Sequence, residues 1–172
     1  ASAIDMDGDQ IKIFTAASGS ADANISFAQK FRLDNDGLKF GSDTAAANAL
    51  DDYEEGTWTI SEVNGQATIT NNRVHYTKIG NMVTAWASIS VGSTSNDNVL
   101  NLSLPFASSI SGYYLGGGNV SYHNLPSAQH DDLRVNIENG ATDMFFIYES
   151  ASAVTCAQAS GQRIDFFVSY RV

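Results

Sequence analysis

The sequence is short of cysteine, proline and positive charge. Its single cysteine, Cys156, excludes an internal disulfide and a cysteine-based zinc site. Nine Lys and Arg stand against nineteen Asp and Glu, a formal net charge of −10 at pH 7. Phosphate binding needs a basic stripe that such a balance does not provide, so no nucleic-acid partner is expected. No apolar run reaches the roughly 18 residues a membrane-spanning helix needs, so no membrane insertion is expected. A basic-then-apolar leader is missing too, which gives no indication of Sec-type export. With 43% hydrophobic and 16% charged residues, the chain is too apolar for disorder and too poor in charge for a coiled coil.

What the sequence has in abundance is turn residues and alternation. Fourteen glycines, with many Ser, Asn and Thr, separate stretches that alternate with period two, the mark of half-buried strands. Val83, Ala85, Ala87, Ile89 and Val91 share one face of such a stretch, and Thr84, Trp86, Ser88 and Ser90 the other. Leu100, Leu102, Leu104 and Phe106 repeat the pattern, as do Phe166, Val168, Tyr170 and Val172. Further strands are predicted at 56–62, 66–78, 118–123, 133–138 and 143–148, with turns at Asn71-Asn72, Gly80-Asn81 and Asn139-Gly140. Many short strands spaced by turns predict an all-β protein with an antiparallel β-sandwich, jelly-roll-like. Only Thr44–Leu50, with Asp43 as N-cap, suits even a turn of helix.

The N-terminal third differs from the rest. Residues 1–60 hold eleven of the nineteen acids and four of the nine bases, a net −7, against −3 for 61–172. They contain a weak repeat. Ile4-Asp5-Met6-Asp7-Gly8 before Ile11-Lys12-Ile13-Phe14 is similar to Leu33-Asp34-Asn35-Asp36-Gly37 before Leu38-Lys39-Phe40. Each reads as a hairpin whose Asp-Gly turn uses glycine for a positive φ. Isolated hairpins are marginal in water, and the apolar residues here are too few and scattered for a private core. This segment is therefore expected to pack against copies of itself or another chain. The domains expected are a β-structured shaft over 1–56 and a head over 57–172.

Leu33-Asp34-Asn35-Asp36-Gly37-Leu38-Lys39-Phe40 leads into Leu50-Asp51-Asp52-Tyr53-Glu54-Glu55-Gly56-Thr57-Trp58-Thr59. This junction resembles the one before the C-terminal head in tail fibres of tailed bacteriophages and prophages. Val74-His75-Tyr76-Thr77-Lys78-Ile79-Gly80-Asn81-Met82-Val83-Thr84 and Leu102-Ser103-Leu104-Pro105-Phe106 resemble later stretches of those heads. The runs span most of 33–106. Many of the phage proteins have Pro after Thr-Trp-Thr, where this chain has Ile60. The Ser-Asp-x-x-Leu-Lys motif of the self-cleaving chaperone domain found in some fibres does not occur. The resemblance implies an intertwined homotrimer, a β shaft, and a head that recognises a host-surface saccharide or protein from the virion tail. Since residue 1 is not Met, the chain is expected to be a C-terminal piece joined to the rest of a longer fibre.

Chemistry-bearing patterns are sparse. Asp5-x-Asp7-Gly8-Asp9 hints at a calcium loop, but an EF-hand has Gly sixth and Glu twelfth, where this stretch has Gly fourth and Ala16 twelfth. A solvated turn is the better reading, and charge that keeps the junction soluble is the better reading of Asp51, Asp52, Glu54 and Glu55. No metal and no cofactor are expected. Asp131 and Asp132 are adjacent, so an extended chain points them apart, unlike a glycosidase pair. His75, His123 and His130 lack metal-ligand spacing. Gly116-Gly117-Gly118 lacks the Lys-Ser/Thr and helix of a phosphate loop and reads as a flexible bend. Cys156 reads as a small buried apolar residue. No catalysis is expected.

Binding suits the sequence better. Trp86 lies on the polar face of its strand, which marks an interface or a ligand platform, burial between protomers being the plainer of the two. Tyr114, Tyr122 and His123 flank the glycine run, and simple alternation places Tyr122 with Val120 on one face and His123 on the other. With His130, Asp131 and Asp132 in the polar loop 123–132, they combine flat amphipathic rings with groups that take hydroxyl hydrogen bonds. Loops 92–98 and 149–162 are further candidates. The alternatives are a carbohydrate-binding module of a secreted polysaccharide-degrading enzyme and a purely structural fibre segment. A charge of −10 opposes adsorption to anionic cell surfaces, so salt screening and divalent ions are expected to matter.

Overall fold

The computed structural model describes residues 1–109, 116–126, 133–138, 140–148 and 152–172. The chain is all-β and antiparallel, and it divides into two compact units, Ala1–Tyr53 and Glu54–Val172.

The first unit is a four-stranded meander of β1 (Ser2–Asp7), β2 (Gln10–Thr15), β3 (Ala28–Asp34) and β4 (Gly37–Phe40), in that order. Both expected hairpins form, with differently placed glycines. Asp7 pairs with Gln10, so Gly8 (φ 57°) lies within the two-residue loop. Asp34 pairs with Gly37, so the loop is Asn35-Asp36 and Gly37 opens β4. A Cβ on Gly37 would stand 2.8 Å from the Leu50 carbonyl oxygen, because Leu50 forms a β-bridge with Leu38. Over 44–50 only a 3₁₀ turn forms, Ala46–Asn48, with Ala45 rather than Asp43 at its N-cap. Asp43 instead accepts from Ala45 N at 2.9 Å and from Asn48 Nδ2 at 2.6 Å.

Register gives this sheet two unlike faces. Ile4, Ile13, Phe31 and Phe40 form one cross-strand row, and Met6, Ile11, Leu33 and Leu38 the next, all on the same face. Of these, Ile4 is 67% exposed, Met6 78% and Phe40 64%. No described apolar side chain before Ile60 is buried. The opposite face carries the row Asp5, Lys12, Arg32 and Lys39. There Lys39 is fully buried; its ammonium bonds both Asp34 oxygens at 3.0 Å and Asp36. Arg32 Nε lies 2.8 Å from Asp34 Oδ2 off the N–H axis, an ionic contact rather than a formed hydrogen bond. Lys39 thus occupies the position a cation would take in the Asp-Asn-Asp loop.

The Lys39 hydrogen bond holds the Asp34 carboxyl below its usual 3.8, and Asp36 holds the Lys39 ammonium above its usual 10.5. The Asp34 contribution to stability is therefore present above pH 3.8 and lost as pH falls through the depressed value. The Lys39 contribution is present below pH 10.5 and lost as pH rises through the elevated one. Replacing Lys39 by Met should raise the Asp34 pKa and start acid unfolding of the meander at a higher pH. Carboxyl-carbon NMR titration and circular dichroism would read the two effects.

The second unit contains β5 (Tyr53–Gly56) from Glu54 onward, β6 (Ile69–Ile79), β7 (Met82–Val91), β8 (Asn101–Ser103), β9 (Gly116–His123), β10 (Arg134–Ile137), β11 (Asp143–Ile147), α1 (Cys156–Ala159) and β12 (Arg163–Arg171). They make one sheet in the order β5-β6-β7-β12-β9-β10-β11-β8. The two separate sheets of a jelly-roll sandwich are therefore replaced by one ladder curled as a half-barrel. Curling is enforced by the segment between β5 and β6, which pairs with β8 at the far edge. Val63 N donates to Asn101 O, and Ser103 N to Ser61 O, both at 3.0 Å. The predicted strand 56–62 is consequently split into β5 and a bridge, Glu62–Leu102.

The concave side holds the core, including all five predicted residues of β7 and Ile164, Phe166, Val168 and Tyr170 of β12. Leu100, Leu102 and Leu104 join them, and Phe146 meets Phe166 edge-to-face at 5.3 Å. Asn71-Asn72 is a bulge inside β6 rather than a turn. The Asn71 carboxamide acts as a strand partner for Ile60, accepting from its N at 2.8 Å and donating to its O at 3.0 Å. Gly80-Asn81 does turn the chain, since Ile79 pairs with Met82; of Asn139-Gly140 only Gly140 is described. Helix α1 was not foreseen, although its capping box, Thr155 with Gln158, is written in the sequence.

The glycine run is strand, not a flexible bend. Gly116, Gly117 and Gly118 lie in β9 between β12 and β10, where a Cβ on Gly118 would stand 1.8 Å from the Phe167 carbonyl oxygen. Gly118→Ala should therefore force the β9–β12 ladder apart and cost about 2–4 kcal/mol, measured by urea unfolding.

Candidate functional site

The convex side of the half-barrel is where the unusual side chains collect. Pairing across β6, β7, β12 and β9 aligns His75, Trp86, Phe167 and Asn119 in one outward row. The next row is Arg73, Ser88, Asp165 and Tyr122. Trp86 is 47% exposed and Phe167 40%, side by side on neighbouring strands. Trp86 thus stands on the polar face, as its alternation predicts.

Tyr122 reaches this face through an irregularity. Val120 pairs with Phe166 and Tyr122 with Asp165, leaving Ser121 as the extra residue of a β-bulge. The bulge shifts the alternation by one, so Val120 faces the core and Tyr122 faces outward. They do not share a face, contrary to the period-two reading. His123 then pairs with buried Ile164 and is half-buried, its Nδ1 accepting from Leu125 N at 3.4 Å. His123 is therefore separated from Tyr122 and does not join the outer face. Tyr114, His130, Asp131 and Asp132 lie outside the described residues. Of the loop 123–132, Asn124 accepts from Arg163 N at 2.8 Å and Leu125 is buried.

Arg163 organises the site beside Tyr122. Its guanidinium lies over the Tyr122 ring at 5.2 Å and bonds Asp165 in bidentate fashion, at 2.9 and 2.6 Å. That pair, with a smaller contribution from Ser88, holds the Asp165 carboxyl below its usual range against the opposing effect of burial. Asp165 is thus a fixed anion in the site, an acceptor for hydroxyl or guanidinium groups.

A hollow of about 550 Å³ opens on this surface, bordered by Arg73, His75, Trp86, Ser88, Arg163 and Asp165. A second, of about 410 Å³, shares His75 and Trp86 and is bordered also by Glu55 and Thr57. Both volumes lie within the range of small-ligand clefts. An indole wall between polar rims can hold the flat face of a sugar ring while the rims take its hydroxyls.

The sequence reading missed Arg73, Phe167, Arg163 and Asp165. Their signal was available for β12, whose outward positions alternate with the apolar set already recognised. The Arg73 position was hidden by reading Asn71-Asn72 as a turn. The loop candidate 92–98 is tied down: Thr94 N donates to Ser160 Oγ at 2.9 Å, and Thr94 Oγ1 to Gln66 O at 3.0 Å. In the candidate 149–162, Val154, Cys156 and Ala159 are buried, and burial pushes the Cys156 thiol above its usual range. Among the described residues no group of three or more His, Cys, Asp or Glu could hold a metal ion, and no helix is long and apolar enough to cross a membrane.

Compared with protein-family models, curated proteins and solved structures, the chain matches none of them. Trp86→Ala should change the unfolding free energy by less than about 1 kcal/mol, since the indole is half in solvent. A larger loss in urea titration would mean that Trp86 serves the core rather than the surface.

Proposed function

We propose that the chain is a C-terminal part of a tailed-phage tail fibre, a homotrimer whose heads recognise a saccharide or protein on the host surface. The observation that carries this reading is the uncovered apolar face of the meander. Its rows of Ile4, Ile13, Phe31 and Phe40 and of Met6, Ile11, Leu33 and Leu38 meet no buried apolar partner within residues 1–53. Five of these side chains, Ile4, Met6, Ile11, Leu33 and Phe40, are between 42% and 78% exposed, a contiguous apolar patch of the kind that marks an interaction site. Such a face supports association with copies of itself, and the resemblance of the 33–59 junction to tail fibres supplies the number three.

Assembly explains how a shallow surface cleft could serve adhesion. Three weak sites tethered together raise avidity by roughly 10²–10⁴ without any new contact. The outer face around Trp86 is the recognition surface in this reading. No reaction is assigned to it, and binding is non-covalent.

Light scattering of the whole chain tests the reading. The expected mass is three times 18.4 kDa. The pair Met6→Lys and Phe40→Asp should convert the trimer to a folded monomer, because both side chains are exposed in the single chain and leave its own packing untouched. A wild-type monomer at micromolar concentration would overturn the fibre reading and favour a carbohydrate-binding module.

A further inference from the structure

The net charge of −10 conceals a basic face. Residues 61–172 contain five basic side chains, and four of them, Arg73, Arg134, Arg163 and Arg171, occupy outward positions of the curled sheet. Their registers place them there: Arg73 opposite Ser88, Arg134 opposite Asn119, Arg163 opposite Ser90 and Arg171 opposite Met82. The outward positions of β6, β7, β12, β9 and β10 hold one carboxylate, Asp165. Of the four arginines, Arg73 and Arg163 border the hollow beside Trp86 against the one carboxylate of Asp165, which leaves one uncompensated positive charge there.

We propose that the 550 Å³ hollow beside Trp86 binds an anionic saccharide, a sugar ring carrying a carboxylate or phosphate. This deepens the adhesin reading and rests on it. The roles follow from the partners each group already has. Arg163 is committed to Asp165 and to the Tyr122 ring. Arg73 borders the same hollow and has no carboxylate partner among the described residues. It is the cation left to meet an acidic substituent, and its planar fork suits carboxylate and phosphate alike. The Trp86 face takes the ring's C–H side, and Asp165 and Ser88 accept hydroxyl hydrogen bonds. Glu55 lies in the neighbouring hollow across the indole, which orients the acidic group of the ligand toward Arg73.

A nucleic-acid strand would use a similar surface, but the observations favour the sugar. Asp165 and Glu55 border the hollows, and the chain's net charge opposes a long polyanion. The basic face also relieves the repulsion expected between a chain of charge −10 and an anionic cell surface. Attraction is local, at the cleft, and needs no bridging divalent ion.

The test is Trp fluorescence and calorimetric titration of the whole chain with trigalacturonate, a hexose 6-phosphate, neutral maltotriose and oligo(dT). At least one anionic sugar should bind about tenfold more tightly than maltotriose, and that preference should fall as NaCl is raised. Comparing trigalacturonate with the hexose phosphate identifies which acid the site takes. Arg73→Gln should remove the preference, Arg73→Lys should restore part of it, and Trp86→Ala should weaken all sugars together. Unchanged melting temperatures would show that these exposed substitutions leave the fold intact. Equal affinity for maltotriose, tighter binding of oligo(dT), or no binding of any sugar would overturn the inference. Adsorption of the trimer to host cells, unaffected by Arg73→Gln and by both anionic sugars, would overturn it while leaving the adhesin reading standing.

Discussion

Strand β12 is held along nine residues by β7 on one side and along seven positions by β9 on the other, and the second unit depends on that double ladder. Its inward side chains, Ile164, Phe166, Val168 and Tyr170, fill the middle of the core. Its outward ones, Arg163, Asp165 and Phe167, build the middle of the candidate site. Close approach makes both possible: Gly116 and Gly118 of β9 leave no Cβ where the Tyr170 side chain and the Phe167 carbonyl stand. Tyr170 then carries the constraint further, accepting from Phe106 N at 3.2 Å and donating to its carbonyl at 3.0 Å. A core strand and a surface strand are here the same nine residues, so the site inherits the rigidity of the core.

The meander has the opposite polarity. Its apolar face is largely exposed, while two charged side chains of the other face, Arg32 and Lys39, are buried, Lys39 fully so between Asp34 and Asp36. Burying a charge is costly unless it is paired and hydrogen-bonded, and here the ammonium meets two carboxylates. One face of the sheet is therefore satisfied within the chain and the other is not. In the proposed fibre the satisfied face sets register and the unsatisfied face sets assembly, which divides specificity and association between the two sides of one thin sheet.

Charge segregation is the second feature that a total conceals. Residues 1–60 carry −7, whereas two arginines, Arg73 and Arg163, border the hollow beside Trp86. The bulges at Asn72 and Ser121 matter to this. Each adds a residue that moves an outward position, Arg73 in one case and Tyr122 in the other, into the row that contains Asp165. Bulges bring together on one face groups that strict alternation would set apart.

Much of this was legible in the residues. Val83 to Val91 and Phe166 to Tyr170 alternate cleanly because one side of each strand meets oil and the other water, and the structure keeps both patterns. The hairpins at Gly8 and Gly80 follow from local turn chemistry. The exposed position of Trp86 needs only period two. The capping box at Thr155 was also there to be read. The irregular positions were different. Asn71-Asn72 and Gly116–Gly118 have turn composition, yet both lie in strands, because a carboxamide can pair with Ile60 and because glycine is what a crowded ladder needs. Those reasons reside in neighbours remote in sequence.

The amino-acid order by itself determined the local facts: that the cleanly alternating stretches such as 83–91 and 164–170 are strands, which of their faces is apolar, and where the turns at Gly8 and Gly80 fall, since these depend on residues a few positions apart. Only the tertiary structure decided that eight strands form one curled sheet, that Tyr122 looks outward and His123 inward, and that Arg73 and Asp165 border one hollow with Trp86. Strand order and bulge position are set by hydrogen bonds and packing between segments remote in sequence, as Met82 is from Arg171, and a one-residue shift in pairing reverses every side chain that follows.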